Sequence, residues 1–177
     1  MITTITGPMF SGKSTRLLAE YDNITDKSSI LCFKPSKDKR DKTKIRARNV
    51  ENKIDAIVIS KFEDILDFLS FDIKYIFIDE VQFISGDYMI LNNLSIHNDI
   101  DIYIAGLSQT SEHKPFGCMP NILAISNNIY NLKARCSCGK TAYYTYCKVN
   151  KKDDVLIGDI EYEPICRKCL VERNKDG

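Results

Sequence analysis

The run Gly7-Pro8-Met9-Phe10-Ser11-Gly12-Lys13-Ser14 constrains this chain more than any other stretch. It spells the phosphate-binding loop pattern G-x-x-x-x-G-K-[ST], which has meaning only between a strand and a helix. Both are expected here. Ile2-Thr3-Thr4-Ile5-Thr6 is a β-branched run that reads as a buried strand, and Ser14 to Tyr21 opens a helix carrying Leu17, Leu18 and Tyr21 on one side. Glycines at 7 and 12 let backbone amides turn inward, and the helix N-terminus adds partial positive charge, so the loop is shaped for a polyphosphate. In such a loop Lys13 reaches the β and γ phosphates as a point charge, and the Ser14 hydroxyl is a ligand for Mg²⁺.

The rest of the chain alternates strand-like and helix-like segments, which implies a parallel sheet flanked by helices with right-handed crossovers. Ser29 to Lys34, Asp55 to Ser60, Lys74 to Ile78 and Ile100 to Ala105 read as strands. Phe62, Ile65, Leu66 and Leu69 recur at α-helical spacing, and Tyr88, Leu91 and Leu94 suggest another helix. The strand at 74–78 runs into Asp79-Glu80. An acidic residue closing a hydrophobic strand is where a second Mg²⁺ ligand is needed, which assigns Asp79 opposite Ser14. Glu80, next along the strand's end, is then placed to act as a general base, because ligands of open parallel sheets bind there. Residues 34–48 hold eight Lys or Arg against two Asp without helical or strand period, and read as a solvated surface loop.

From about residue 134 the character changes. Cys136-Ser137-Cys138 and Cys166-Arg167-Lys168-Cys169 bracket 27 residues, a spacing that suits one structural zinc ion held by four thiolates. This divides the chain into an α/β nucleotide-binding domain, 1–133, and a small zinc-binding domain, 134–177. Seven cysteines arranged in this way suggest metal in a reducing compartment rather than disulfides. The formal net charge of +1 provides no global field for nucleic acid or an anionic membrane. The polar first residues enter a strand at once, so no leader is expected, and no apolar run approaches the ~20 residues that span a bilayer. A cytoplasmic protein is the expectation. A P-loop ATPase with a zinc ribbon acting on nucleic acid is the other class that fits a strand ending in Asp-Glu, though the chain has no room for a second motor domain.

The wording of the motifs narrows this further. GPMFSGKS, Asp38-Lys39-Arg40, IDEVQF at 78–83, the Gly106-Leu107 to Lys114-Pro115-Phe116-Gly117 stretch and the terminal cysteine pairs with Tyr162 stand in an order and spacing that resembles the thymidine kinases of the human-cytosolic and poxviral type. The resemblance covers nearly the whole chain. It implies transfer of the ATP γ-phosphate to the 5′-hydroxyl of thymidine, with Glu80, Lys13 and Arg40 as catalytic groups. It implies that residues 7–14, Asp79 and Gln82 bind the nucleotide, and that Met9, Asp38, Phe83, Leu107, Phe116 and Tyr162 contact the nucleoside. By spacing alone those apolar residues would be ordinary core. Homotetramers, a zinc-stapled lasso over the nucleoside and restraint by dTTP are further implications. The chain departs from the family at Ser111, where a Phe is common, in its C-x-C first pair, at Cys147 in place of an Arg, and in a lasso one residue short.

Overall fold

β-Branched runs separated by amphipathic segments build a parallel sheet between two apolar layers. The computed structural model describes residues 1–38, 43–46, 53–149 and 160–173. In chain order the elements are β1 (Ile2–Thr6), α1 (Lys13–Asp22), β2 (Ile30–Pro35), β3 (Lys44–Arg46), β4 (Lys53–Asp55), β5 (Ile57–Ile59), β6 (Tyr75–Ile78), α2 (Met89–His97), β7 (Asp101–Gly106), α3 (Met119–Ile125), β8 (Asn128–Asn131), β9 (Ala134–Arg135), β10 (Thr141–Ala142), β11 (Tyr144–Cys147), β12 (Tyr162–Ile165) and α4 (Arg167–Arg173). Six strands form one sheet in the order β5-β2-β6-β7-β1-β8, with every neighbouring pair parallel.

The two-residue period of the strands sorts their side chains into the two layers. On β6, Ile76 and Ile78 join Phe33, Ile102 and Ile104 on one face, under Leu91, Leu94, Met119 and Ile122. Phe77 points to the other face with Ile5 and Ala105, under Leu17 and Leu18 of α1. Its ring stacks on Tyr103 at 4.8 Å. β1 is buried along its whole length, which is why its apolar and threonine residues form a continuous β-branched run. The carboxyl ends of β1 and β6 therefore open at the same edge of the sheet with β7 between them, and both candidate motifs follow directly from those ends.

Three segments differ from the sequence reading. The basic stretch is not all loop: β3 pairs antiparallel with β4, and Ile45 and Ile54 are buried against the α1 side of the sheet. Ile45 among ten charged residues in 34–48 left no period to read. Phe62–Phe68 is a 3₁₀ rather than an α-helix. With three residues per turn, Phe62 and Ile65 stack into the core while Leu66 is turned out to solvent, and Phe68 reaches the Phe33 ring at 6.1 Å. Asp64 caps its start by accepting from the amides of Ser60 and Lys61. Finally, α3 and β8 went unread. β8 is an edge strand with all four side chains exposed, held by its backbone bonds to β1, so it leaves no apolar pattern.

After β8 the chain forms two small antiparallel pairs, β9 with β10 and β11 with β12, followed by α4. Their apolar cluster is Cys136, Ala142, Ile165, Cys166 and Leu170. Among the described residues no helix is long and apolar enough to cross a membrane.

Candidate functional site

The loop between β1 and α1 has the backbone that its glycines predict. Gly7 has φ +147, and a Cβ there would lie 2.4 Å from the Leu132 carbonyl oxygen and 2.8 Å from Ser11 Oγ. Gly12 is the N-cap of α1 at φ +83, a left-handed conformation that glycine adopts without strain. Lys13 is buried, and its Nζ donates to the Pro8 carbonyl at 2.9 Å, so the ammonium lies back along the loop. Ser11 Oγ and Thr6 Oγ1 are buried with no hydrogen-bond partner among the described residues. Left-handed glycines, a buried cation and two buried hydroxyls before a helix N-terminus form a cradle that fits a polyphosphate.

At the end of β6, Asp79 is buried and takes the Ser14 hydroxyl hydrogen on Oδ2 at 2.9 Å. Its other oxygen, Oδ1, accepts from the Glu80 amide at 3.0 Å. A hydroxyl and a carboxylate converging beside a phosphate cradle are the hard oxygen donors that Mg²⁺ prefers, so Ser14 and Asp79 fit the ion assigned to them. Glu80 itself takes φ +52, a left-handed conformation that costs a non-glycine residue about 1–2 kcal/mol. Its Oε2 accepts from Gln82 Nε2 at 2.6 Å.

Around this carboxylate the structure gathers several of the residues assigned to the nucleoside. Phe83 and Phe116 meet edge to face at 5.3 Å. The Leu107 amide donates to Gln82 Oε1 at 3.0 Å. The segment from Leu107 to Gly117 closes on itself through Phe116 N to Ser108 O and a bridge between Gln109 and Pro115. Ser111 lies in its turn, with its hydroxyl oxygen buried and unpartnered among the described residues. Met9 donates its amide to Thr145 Oγ1 of β11 at 2.9 Å, tying the phosphate loop to the small C-terminal strands. His113 stacks edge-on against Tyr144 at 5.2 Å and makes a second tie. Tyr162 is buried in β12, opposite Cys147.

Asp38 follows β2 and pairs with Lys34 at 3.0 Å, both side chains being almost fully buried. Lys34 Nζ also donates to the Lys44 carbonyl. Arg40, Lys39, Arg48 and the lasso residues 157–159 lie outside the described residues. Sequence reasoning did not find Lys34, Thr145 or His113. Thr145 and His113 act through partners far away in the chain, and Lys34 is set apart by its burial, which no local pattern marks.

The four assigned cysteines come together. Their Sγ atoms all lie within 4.8 Å of one another, Cys138 to Cys166 at 3.6 Å. A tetrahedron with ~2.3 Å metal–sulfur bonds has edges of about 3.8 Å, so the set fits zinc, and C-x-C spacing is no obstacle. The hydrogen bond from the Cys138 amide is the main influence drawing Cys136 down to about 6, and the Cys169 amide likewise lowers Cys166. Cys169 moves the other way, to about 12, because it shares hydrogens with Cys138 and Cys166. Lowering at Cys136 and Cys166 favours the deprotonated form that a metal requires of its sulfur ligands. Cys147 is not in it: its Sγ donates to the Val149 carbonyl. Cys32 and Cys118 are pushed up to about 12 and about 11 by burial, and remain thiols.

Known proteins supply independent evidence. A family model described as thymidine kinase matches residues 1–170. The chain is similar to a thymidine kinase of Mycoplasma mobile, 37% identical over 179 residues that cover 97% of this chain and 88% of the relative. One from Onion yellows phytoplasma is 36% identical, covering 98% and 89%. Another from Pseudothermotoga lettingae is 34% identical, covering 95% and 93%.

Proposed function

The chain belongs to the thymidine kinase family, and we propose that it is an ATP:thymidine 5′-phosphotransferase, converting thymidine and ATP to dTMP and ADP in the cytoplasm. The supporting observation is the Ser14–Asp79 hydrogen bond at 2.9 Å with Glu80 as the next residue. It supports the reading because it links α1 at the phosphate loop to the end of β6, where a metal-ligand pair and a carboxylate base would be needed.

Phosphoryl transfer needs mostly positioning and charge neutralisation. The loop amides of residues 7–14 and the α1 N-terminus hold the phosphate chain, and Lys13 leaves the Pro8 carbonyl to meet the transferring group. Mg²⁺, when bound by Ser14 and Asp79, offsets phosphate charge. Glu80 accepts the 5′-hydroxyl proton as that oxygen attacks the γ-phosphorus and ADP departs. Arg40 adds positive charge at the transfer end, and Asp38 sits where its pairing with Lys34 holds the start of that basic segment. Met9, Phe83, Leu107, Phe116 and Tyr162 enclose the base, whereas Gln82, which the resemblance puts at the nucleotide, has its side-chain amide engaged by Glu80 and the Leu107 amide.

Residues 1–133 form the kinase domain and 134–177 the zinc domain, whose ion is structural: it closes the excursion that carries Tyr162. A homotetramer restrained by dTTP is part of the same reading. The test is direct: incubate the protein with γ-labelled ATP and a panel of nucleosides, and follow the label. Label in dTMP supports the reading. Release of label only as inorganic phosphate, stimulated by single-stranded DNA, would replace it with a nucleic-acid-dependent ATPase.

A further inference from the structure

We infer that Gln82 is a positioning residue that sets the Glu80 carboxylate and the Leu107–Gly117 loop with one side chain, so that the base is aimed only when that loop is in place. The inference rests on Glu80 being the base. Gln82 is buried, and both of its amide atoms are used. Nε2 donates to Glu80 Oε2 at 2.6 Å, and Oε1 accepts from the Leu107 amide at 3.0 Å. A carboxylate can only accept and a backbone N–H can only donate, so the amide has one possible orientation.

The two ends of the loop are built around this residue. A Cβ on Gly106 would lie 2.8 Å from Gln82 Oε1, and a Cβ on Gly117 would lie 2.2 Å from the Gln82 carbonyl oxygen. The loop therefore starts and finishes on Gln82 backbone and side chain. Between those ends Phe116 meets Phe83, the neighbour of Gln82. Glu80 needs such support, since its φ of +52 is a conformation that its own side chain does not favour. A charge-assisted bond this short directs one oxygen toward Gln82 and leaves the carboxylate plane with little freedom.

A double-mutant cycle on the full chain tests this, with kcat, the KM for thymidine, ATP binding and melting temperature measured for each protein. Gln82→Met keeps the volume and removes both bonds. Gln82→Glu keeps the acceptor for the Leu107 amide and removes the donor to Glu80. In the parent background each should lower kcat about 10²-fold, the size of effect expected when a reacting group is misplaced by an ångström, with ATP binding retained. In the Glu80→Gln background each should change kcat by no more than about 2-fold, because residues acting as a unit are not additive. Additive losses would overturn the inference, as would full activity of Gln82→Glu, which would reduce Gln82 to a loop anchor. Should Gln82→Met fail to fold, the Gln82→Glu arm carries the cycle alone. Near-normal kcat for Glu80→Gln by itself is a different failure: it removes the base assignment first and this inference with it.

Discussion

Replacing Gly7 by Ala should disable the phosphate cradle through a collision that can be sized from the coordinates. The new Cβ would stand 2.4 Å from the Leu132 carbonyl oxygen, and must retreat by at least about 0.6 Å to reach the 3.0 Å that real Cβ contacts respect. Leu132 has little freedom to yield, because its amide donates to the Thr6 carbonyl at 2.7 Å at the end of the β1–β8 ladder. The loop must move instead, and with it the amides that face the phosphates. Overpacking of this kind costs about 1–3 kcal/mol. The positive φ of +147 adds about 1–3 kcal/mol for a residue with a side chain. Together, about 2–6 kcal/mol in a chain of this size lowers the melting temperature by roughly 5–20 °C. Differential scanning fluorimetry with and without ATP·Mg²⁺ reads both consequences: a lower melting point, and a smaller upward shift on adding nucleotide. Gly12→Ala is the control. It has the same kind of φ, +83, but no atom within 4 Å of the new Cβ, so it should lose only the conformational part, about 1–2 kcal/mol. If Gly7→Ala melted within about 2 °C of the parent and kept full nucleotide protection, the contact with Leu132 would not be the constraint argued here.

Three further outcomes are expected. Glu80→Gln keeps size but cannot take a proton, so kcat should fall about 10²-fold or more with ATP still bound, and steady-state kinetics beside calorimetry will show whether it does. Cys166→Ser should lose zinc by elemental analysis, while Cys147→Ser, whose thiol points to the Val149 carbonyl, should retain about one ion per chain; zinc lost from Cys147→Ser would return that residue to the ligand set. Burial lowers the His113 pKa below its ordinary 6.5, so the unfolded chain takes up the proton first as pH falls, and stability is lost between 6.5 and the lower folded value and is complete above 6.5. His113→Phe keeps a ring against Tyr144 and should flatten that loss, and melting curves at a series of pH values that fell equally in both proteins would contradict it.

How far the site was legible differs from residue to residue. The positions of Lys13, Ser14, Asp79 and Glu80 are encoded locally: Lys13 and Ser14 follow a strand and a loop whose glycines are needed for its backbone, and Asp79 and Glu80 directly follow a strand that reads as a strand. The cysteine pairs were legible as a set that could hold a metal, because metal binding asks only for thiolates at workable spacing. The sequence reading kept Cys147 outside that set, and the structure turns its thiol on β11 to the Val149 carbonyl. The aromatic residues Phe83 and Phe116 could equally have been core. Their edge-to-face meeting, thirty-odd residues apart in the chain, is a tertiary fact.

By itself, then, the amino-acid order determined the parallel α/β layout, the glycine loop between β1 and α1 and the cluster of four thiols that could hold a metal. These depend on periodicity, backbone permissiveness and ligand chemistry, all properties of a few neighbouring residues. Folding decided three other features: that Ile45 makes part of the basic stretch a hairpin, that Thr145 fastens Met9 to the C-terminal strands, and that Gln82 joins Glu80 to Leu107. Each is a contact between segments whose approach is set by how the sheet stacks its layers. Burial and hydrogen bonding across long separations leave no repeating trace along the chain, so only the assembled structure reveals them.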